Sequence, residues 1–217
     1  MKNNRILSVF FAVALVLFLI TAAIALPIYC RGFYYAHIEA MNLPAYTGLT
    51  AEELRTAYNE VLDYLTLPGR EFGTGAFPHS AEGAAHFADC RVLFDLNRNV
   101  LLASAGALGI LLLFRKKWGP YRLGRHSAAF WAAVFAVVLP LILGGLAALD
   151  FDRAFVIFHS VFFPGKTNWI FDWRTDPIIL AMPQDFFMHC AMLIGAGLLV
   201  FSGLVLILSL RAEKKES

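Results

Sequence analysis

The chain alternates between long apolar stretches without charge and segments that carry nearly all of its charged residues. Uncharged runs of 25, 24 and 25 residues occupy 6–30, 126–149 and 186–210. A helix rises about 1.5 Å per residue, so each run can cross a hydrocarbon core about 30 Å thick. The pattern therefore predicts membrane-spanning helices over about 6–28, 126–149 and 186–210.

A fourth apolar run, at 99–114, has only 16 residues. It is long enough to span if its helix starts near Val92 and carries Asp95 and Arg98, one turn apart, at the outer interface. We therefore predict a fourth span over about 92–114.

The first run is predicted to be a span rather than a signal peptide. It exceeds the usual apolar region of roughly 7–15 residues, and no small-x-small cleavage site follows it cleanly.

The two long segments that join these spans on the outer side, 29–91 and 150–185, are predicted to form a small extracytoplasmic cap. In the first, Thr50 and Glu53 have the spacing of a capping box, and apolar residues follow at helical spacing until Pro68. A second helix is predicted to start near Ser80 and to continue into the second span. The fold class is an all-α membrane protein, with four transmembrane helices and this cap in one membrane domain over 1–217.

Composition agrees with a membrane protein, since 59% of the residues are hydrophobic and only 16% are charged. Soluble domains have roughly 45–50% apolar and about 25% charged residues, so a soluble fold is excluded. The small net charge of +2 also argues against a nucleic-acid partner.

The charges are sorted between the two sides of the predicted spans. With both termini cytoplasmic, the inner segments hold 10 basic residues, including Lys2, and two acidic ones, whereas the outer segments hold 8 basic and 14 acidic residues. The inner loop RKKWGPYRLGR is short and strongly basic, which is where the positive-inside rule is most reliable. The chain is predicted to lie in a bacterial cell membrane with its active site on the outer face.

Histidine placement gives the main chemical signal, because no serine-hydrolase, zinc-protease, CxxC or Walker motif is present. His86 shares a predicted helix face with Glu82 and Asp89, and a carboxylate there could set its tautomer and raise its basicity. A solvated helix face whose charges form ordinary surface ion pairs explains the same spacing, so both interpretations, an acid–base group and a surface residue, stay open.

His159 lies among apolar and aromatic residues in FVIFHSVFF. Burial there would favour a neutral imidazole that can accept a proton. The alternative is a core histidine bonded to a backbone carbonyl.

The segment 150–185 is crowded with aromatic residues, together with carboxylates and arginines. Aromatic residues that only anchor a protein at the membrane interface do not require neighbouring carboxylates and arginines. A confined pocket at the boundary between cap and membrane is therefore predicted. Its substrate-binding or supporting residues are predicted to be Glu82, Asp89, Arg91, Phe158, Phe162, Trp169, Asp172, Arg174 and Asp176.

Two motifs resemble those of a family of four-span bacterial membrane proteins, the lipoprotein intramolecular transacylases. They are S-A-E-G-A-A-H-F-A-D-C-R at Ser80–Arg91 and F-H-S-V-F-F-x5-W-I-F-D-x3-D-P-I-I-x3-P-x2-F-F at Phe158–Phe187. The sequence departs from the family pattern at Cys90, usually aliphatic, and at Trp173, where a proline is expected.

The resemblance implies an enzyme that moves an acyl chain from the sn-2 ester of a diacylated lipoprotein to the α-amine of the same N-terminal cysteine. The residues that match the catalytic pair are His86 and His159. We take His86 as the base and His159 as oxyanion partner and proton donor, with the reverse assignment open. No cofactor or metal and no protein partner is implied beyond the lipoprotein substrate and membrane lipid.

Two other classes stay open from the residues alone. The outer histidines and carboxylates, His79, His86, Asp89 and His159, could hold a metal in a membrane hydrolase. A non-catalytic assembly or transport component is the other alternative, although the spans show no repeated half.

Overall fold

The computed structural model describes residues 4–118 and 121–216. These residues form ten helices and one two-stranded hairpin. In chain order the elements are α1 (Arg5–Tyr29), α2 (Arg31–Ala40), α3 (Leu43–Thr47), α4 (Ala51–Thr66), α5 (Ala81–Leu113), α6 (Arg115–Trp118), β1 (Arg122–Leu123), β2 (His126–Ser127), α7 (Ala128–Leu149), α8 (Phe151–Phe162), α9 (Ile178–Ala181) and α10 (Gln184–Glu216). Lys2 and two residues of the predicted inner loop, Gly119 and Pro120, lie outside the described residues.

Among the described residues, four helices, α1, α5, α7 and α10, are long and apolar enough to cross a membrane. α1 and α10 contain the spans predicted over about 6–28 and 186–210, and α5 covers the span predicted over about 92–114 except for its last residue. α5 begins near Ser80, as expected, and continues as one helix of 33 residues through the second span. α7 begins slightly later than the predicted 126, because His126 and Ser127 pair with β1 as the second strand of the hairpin.

The chain divides into two compact units. The first falls within Met1–Leu26, Asn97–Leu146 and Leu193–Ser217, and the second within Pro27–Leu96 and Ala147–Met192. The second unit includes both segments predicted as the cap, and it also contains His86 and His159.

The first unit is held together by a buried apolar cluster around Leu19, Leu111 and Ala132. Tyr121, just before the hairpin, stacks on Phe11 with ring centroids 4.9 Å apart, and its hydroxyl donates to the carbonyl of Leu111 at 2.7 Å. The buried hydroxyl is therefore satisfied, as burial of a polar group requires.

The second unit is organised around α4, whose sequence dictates both its ends and its buried face. Thr50 and Glu53 form the predicted capping box, and the helix ends before Pro68-Gly69. The side chains of Leu54, Ala57, Val61 and Leu65 recur at helical spacing and are all buried.

Aromatic side chains join α4 to its neighbours in this unit. Tyr34 of α2 stacks on Tyr58 of α4 at 3.8 Å between ring centroids. The Tyr34 hydroxyl donates to the carbonyl of Ala181 in α9 at 3.0 Å. These contacts join α2, α4 and α9 in one buried cluster.

Candidate active site

His86 lies in the second turn of α5, and the sequence before it explains why the helix starts where it does. Ser80 precedes the helix, and its hydroxyl accepts a hydrogen bond from the backbone N–H of Gly83 at 2.9 Å, as an N-cap does. His86 follows three residues after Gly83 and is buried, with 6% of its surface exposed.

Asp176 holds the start of α5 from outside the helix. Its buried carboxylate accepts from the backbone N–H of Ser80 and from the hydroxyl of Thr175, both at 2.8 Å. Burial opposes the charged form, but these hydrogen bonds outweigh it, so the pKa of Asp176 is lowered. Gly83 leaves room for this carboxylate, since a Cβ there would lie 2.1 Å from Asp176 Oδ1.

His159 lies on the buried side of α8, and its tautomer follows from its hydrogen bond. Nδ1 is 2.8 Å from the carbonyl oxygen of Phe155, one turn earlier. A carbonyl oxygen can only accept, so Nδ1 carries the proton and Nε2 keeps its lone pair. Burial lowers the pKa of His159, against a smaller opposite effect of this hydrogen bond, which favours the neutral imidazole.

The two predicted histidines come together in the fold. Their ring centroids are 5.8 Å apart. Phe163 touches both rings, with centroids 5.1 Å from His86 and 5.8 Å from His159. Trp169 stacks on His159 at 4.5 Å, and Phe171 meets the edge of His86 at 5.4 Å. The pair therefore lies in an aromatic environment, which strengthens any electrostatic interaction made there.

The two nitrogens of His86 differ in their surroundings. Nε2 is 3.4 Å from the sulfur of Cys90. Nδ1 is buried and has no hydrogen-bond partner among residues 4–118 and 121–216. Buried polar atoms are nearly always paired, and exceptions are often found at functional sites. Nδ1 of His86 is thus an unsatisfied polar atom within the described residues.

In the described residues, no hydrogen bond joins the imidazole of His86 to either of the two carboxylates expected to orient it. The Asp89 carboxylate accepts from the ammonium of Lys166 and from Nδ2 of Asn168, the latter at 3.1 Å. Glu82 is exposed in the first turn of α5. The neighbour that His86 Nε2 contacts is instead Cys90.

The remaining predicted residues divide into two groups. Phe158 meets the edge of His159 at 5.4 Å, and Phe162 packs on Phe158 at 4.6 Å between centroids, so both belong to the surroundings of the pair. Three other predicted residues, Arg91, Asp172 and Arg174, make their contacts elsewhere. Arg91 donates to the carbonyl of Leu67 and lies over the ring of Tyr64. Arg174 pairs with Asp172 in the exposed turn around Trp173.

The predicted site residues left out Ser80 and three members of the aromatic segment, Phe155, Phe163 and Phe171, and sequence reasoning missed Lys166 and Asn168 altogether. A local signal existed for the carbonyl of Phe155, because it lies four residues before His159 on one helix face. For Lys166 and Asn168 there was none, because their partner Asp89 is far away in the chain.

Comparison with known proteins decides which family this architecture belongs to. The family model described as "Lipoprotein intramolecular transacylase Lit" matches residues 9–187. The chain belongs to this family. The prediction of a lipoprotein transacylase, an enzyme of the acyltransferase class, is thereby confirmed.

Solved structures agree. The membrane-integral lipoprotein intramolecular transacylase Lit from Bacillus cereus superposes with a TM-score of 0.85 at 26% identity, over 98% of this chain and 96% of that one. A form of the Bacillus cereus protein with one histidine replaced by alanine gives a TM-score of 0.82 at 24% identity, over 98% and 94% of the two chains. The comparison with curated proteins gave no match. The all-α membrane fold with four spans is confirmed.

The metal alternative has no matching cluster in the described part of the chain. No three histidine, cysteine or carboxylate side chains of residues 4–118 and 121–216 come together as ligands for one ion. His79, one of the four residues considered for it, hydrogen-bonds instead to the hydroxyl of Thr74 at 3.1 Å.

Proposed function

We propose that this chain transfers the sn-2 acyl group of a diacylated bacterial lipoprotein to the α-amine of the same N-terminal cysteine. The observation that carries the proposal is the pair of buried histidines, His86 and His159, with ring centroids 5.8 Å apart. Such a pair suits a reaction in which the substrate supplies both the nucleophile and the ester, so that the enzyme contributes proton transfer and charge stabilisation.

The transfer moves one acyl group and one proton. The amine nitrogen attacks the ester carbonyl and a tetrahedral oxyanion forms. When it collapses, the bond from the acyl carbon to the sn-2 oxygen breaks and an amide remains. The proton that leaves the nitrogen ends on the sn-2 oxygen, which becomes a free hydroxyl.

His159 suits the role of base. Because Nδ1 donates to the carbonyl of Phe155, the lone pair of Nε2 is available to take the proton from the amine and return it to the sn-2 oxygen. The lowered pKa of His159 keeps this imidazole neutral before the reaction.

His86 suits the role of oxyanion donor. If the thiol of Cys90 donates to Nε2, the proton of the neutral ring lies on Nδ1, the buried atom without a partner in the described residues. A donor held in a dry site stabilises a developing oxyanion strongly. We therefore favour the reverse of the assignment first made from the sequence, in which His86 is the base.

The aromatic side chains suit a lipid substrate. Phe163, Phe171 and Trp169 surround the two imidazoles, and Phe158 and Phe162 offer exposed apolar surface on α8. Holding the amine and the ester of one molecule together can supply several kcal/mol of barrier lowering, on the order of 7–11 in favourable cases. The charge pattern supports a site on the outer face with both termini in the cytoplasm.

The test is conversion of a synthetic diacylated lipopeptide by the purified protein, followed by mass spectrometry. We expect a product of unchanged mass whose fragments place one acyl chain on the amine. A wild-type protein that leaves the lipopeptide unchanged would refute the proposal.

Asparagine variants test the two roles, because the asparagine amide can imitate a donating Nδ1–H but cannot act as a base. We expect His86→Asn to keep part of the activity and His159→Asn to lose nearly all of it. The opposite ranking would restore His86 as the base.

A further inference from the structure

A second feature of the same site involves Asp89, which lies one turn after His86 on α5. Its carboxylate accepts from the ammonium of Lys166 and from Nδ2 of Asn168. Both partners come from the segment that follows α8. The side chain of Lys166 is 47% exposed, and that of Asp89 is 23% exposed, so this ion pair can be reached from solvent and exchanged.

Asn168 adds an unused acceptor to this arrangement. Nδ2 donates to Asp89, and Oδ1 of the same amide is buried without a hydrogen-bond partner in residues 4–118 and 121–216. A carboxylate beside a free amide oxygen is a set of acceptors only. It suits a ligand that brings several N–H donors, such as a primary ammonium with its three.

The other nearby carboxylates do not offer the same site. Asp176 is buried and already accepts from Ser80 and Thr175. Asp172 lies in the exposed turn with Arg174. Asp89 is also the one that follows His86 on the same helix and already binds a primary ammonium.

We propose that Asp89 and Asn168 form the binding site for the substrate's α-ammonium group, and that Lys166 occupies this site when no substrate is bound. The inference rests on the proposed function. The Lys166 ammonium and the cysteine α-ammonium are the same chemical group, so each excludes the other from the carboxylate.

Such exchange would also favour release of the product. Before it attacks, the bound ammonium loses one proton to solvent. Once the resulting amine is acylated, the amide nitrogen has no positive charge and can no longer form an ion pair with Asp89. Lys166 can then return to the carboxylate. The site therefore discriminates between the free-amine substrate and its own amide product by charge.

Two non-reactive probes test this binding directly: lipopeptides with ether-linked chains, one with a free amine and one with an acetylated amine. Their dissociation constants would be measured for purified wild-type protein and for Asp89→Asn, Lys166→Gln and Glu39→Gln. Glu39 is an exposed residue of α2 and serves as the charge-matched control.

We expect Asp89→Asn to weaken binding of the free-amine probe by roughly tenfold, the effect of one charge-assisted hydrogen bond, and to leave the acetylated probe unchanged. Lys166→Gln removes the competing ammonium, so it should tighten binding of the free-amine probe. In the conversion assay it should lower KM for the ester lipopeptide.

Equal weakening of both probes by Asp89→Asn, or weaker binding of the free-amine probe by Lys166→Gln, would overturn the inference and make the ion pair a purely structural link. The probes do not react, so their binding reports on the ammonium site whether or not the enzyme converts the ester lipopeptide. Failure of this inference is thus distinguishable from failure of the proposed function.

Discussion

Two pairs of histidines lie in the same unit of the molecule, and they differ in how their nitrogens are satisfied. In the first, His86 and His159, the rings approach to 5.8 Å, and Nδ1 of His86 has no hydrogen-bond partner in the described residues. In the second, Nε2 of His37 is 3.1 Å from Nδ1 of His189, and Nδ1 of His37 is 2.7 Å from the carbonyl of Phe33.

The second pair forms a directed chain of hydrogen bonds. His37 must donate from Nδ1 to the carbonyl, so its Nε2 accepts from Nδ1 of His189. The two imidazoles thus use their facing atoms on each other, beside the core residue Phe186. In the first pair, Nδ1 of His86 has no such partner among residues 4–118 and 121–216. Nearness of two histidines is therefore not enough to indicate catalysis, and the unsatisfied atoms are the distinguishing feature.

Alanine at each of the four positions should give the largest contrast. We expect His86→Ala and His159→Ala to reduce conversion of the lipopeptide by at least about 100-fold, as general acid–base and oxyanion groups do. His37→Ala and His189→Ala should remain within a few-fold of wild type. The measurement is the initial rate, with membrane insertion checked for each variant. Near-normal product formation by either His86→Ala or His159→Ala would remove the distinction between the pairs.

Gly83→Ala tests how strictly the first pair must be positioned. The added Cβ would overlap Asp176 Oδ1, so the start of α5 or the carboxylate must shift, and His86 lies in the next turn. We expect a roughly 10- to 100-fold lower rate, since displacements of about 1 Å can cost that much. Gly106→Ala, on the same helix with nothing within 4 Å of the new Cβ, is the matched control. Equal rates for the two variants would show that the Asp176 contact does not position His86.

The two histidine pairs should also differ in their effect on the pH dependence of the rate, by less than in the alanine and glycine variants. The pKa of His159 is lowered by burial, so its neutral form prevails at pH 7 and is lost only as the pH falls through a value below 6.5. We expect a rate that is flat near neutrality and then declines by about tenfold per pH unit once the imidazolium dominates. The His37→Ala profile should keep the same acidic limb. A rate that rises on acidification below pH 6.5 would contradict His159 as the base.

The second pair should affect stability by the smallest amount. Removing the hydrogen bond between His37 and His189 should lower the free energy of unfolding by about 0.5–1.5 kcal/mol. A double-mutant cycle with His37→Ala and His189→Ala, followed by thermal unfolding in detergent, measures the coupling. A coupling near zero would mean that the 3.1 Å contact contributes no stability.

Local features of the structure could be predicted because they depend on neighbouring residues. The apolar runs determine α1, α5, α7 and α10, and the capping box at Thr50 determines the start of α4. The start of α5 near Ser80 follows from its N-cap. The hairpin at 122–127 escaped prediction, since strands of two residues have no periodicity to detect.

The partners of the site residues could not be predicted in the same way. Asp89 was expected to orient His86, its neighbour on the helix, whereas its hydrogen bonds go to Lys166, 77 residues away, and to Asn168. In the same way, His37 of α2 bonds to His189, 152 residues away. Local spacing cannot reveal such contacts, because they exist only after the helices have packed.

The four apolar helices follow from the amino-acid pattern alone, because hydrocarbon core thickness and helix rise leave few alternatives for charge-free runs of this length. Its motifs also singled out His86 and His159. Packing had to be seen before the imidazole nitrogens with a hydrogen-bond partner could be told from the one, Nδ1 of His86, that has none among the described residues. That distinction depends on the carbonyl of Phe155, the sulfur of Cys90 and the ring of Trp169, each placed by packing and by hydrogen-bond geometry.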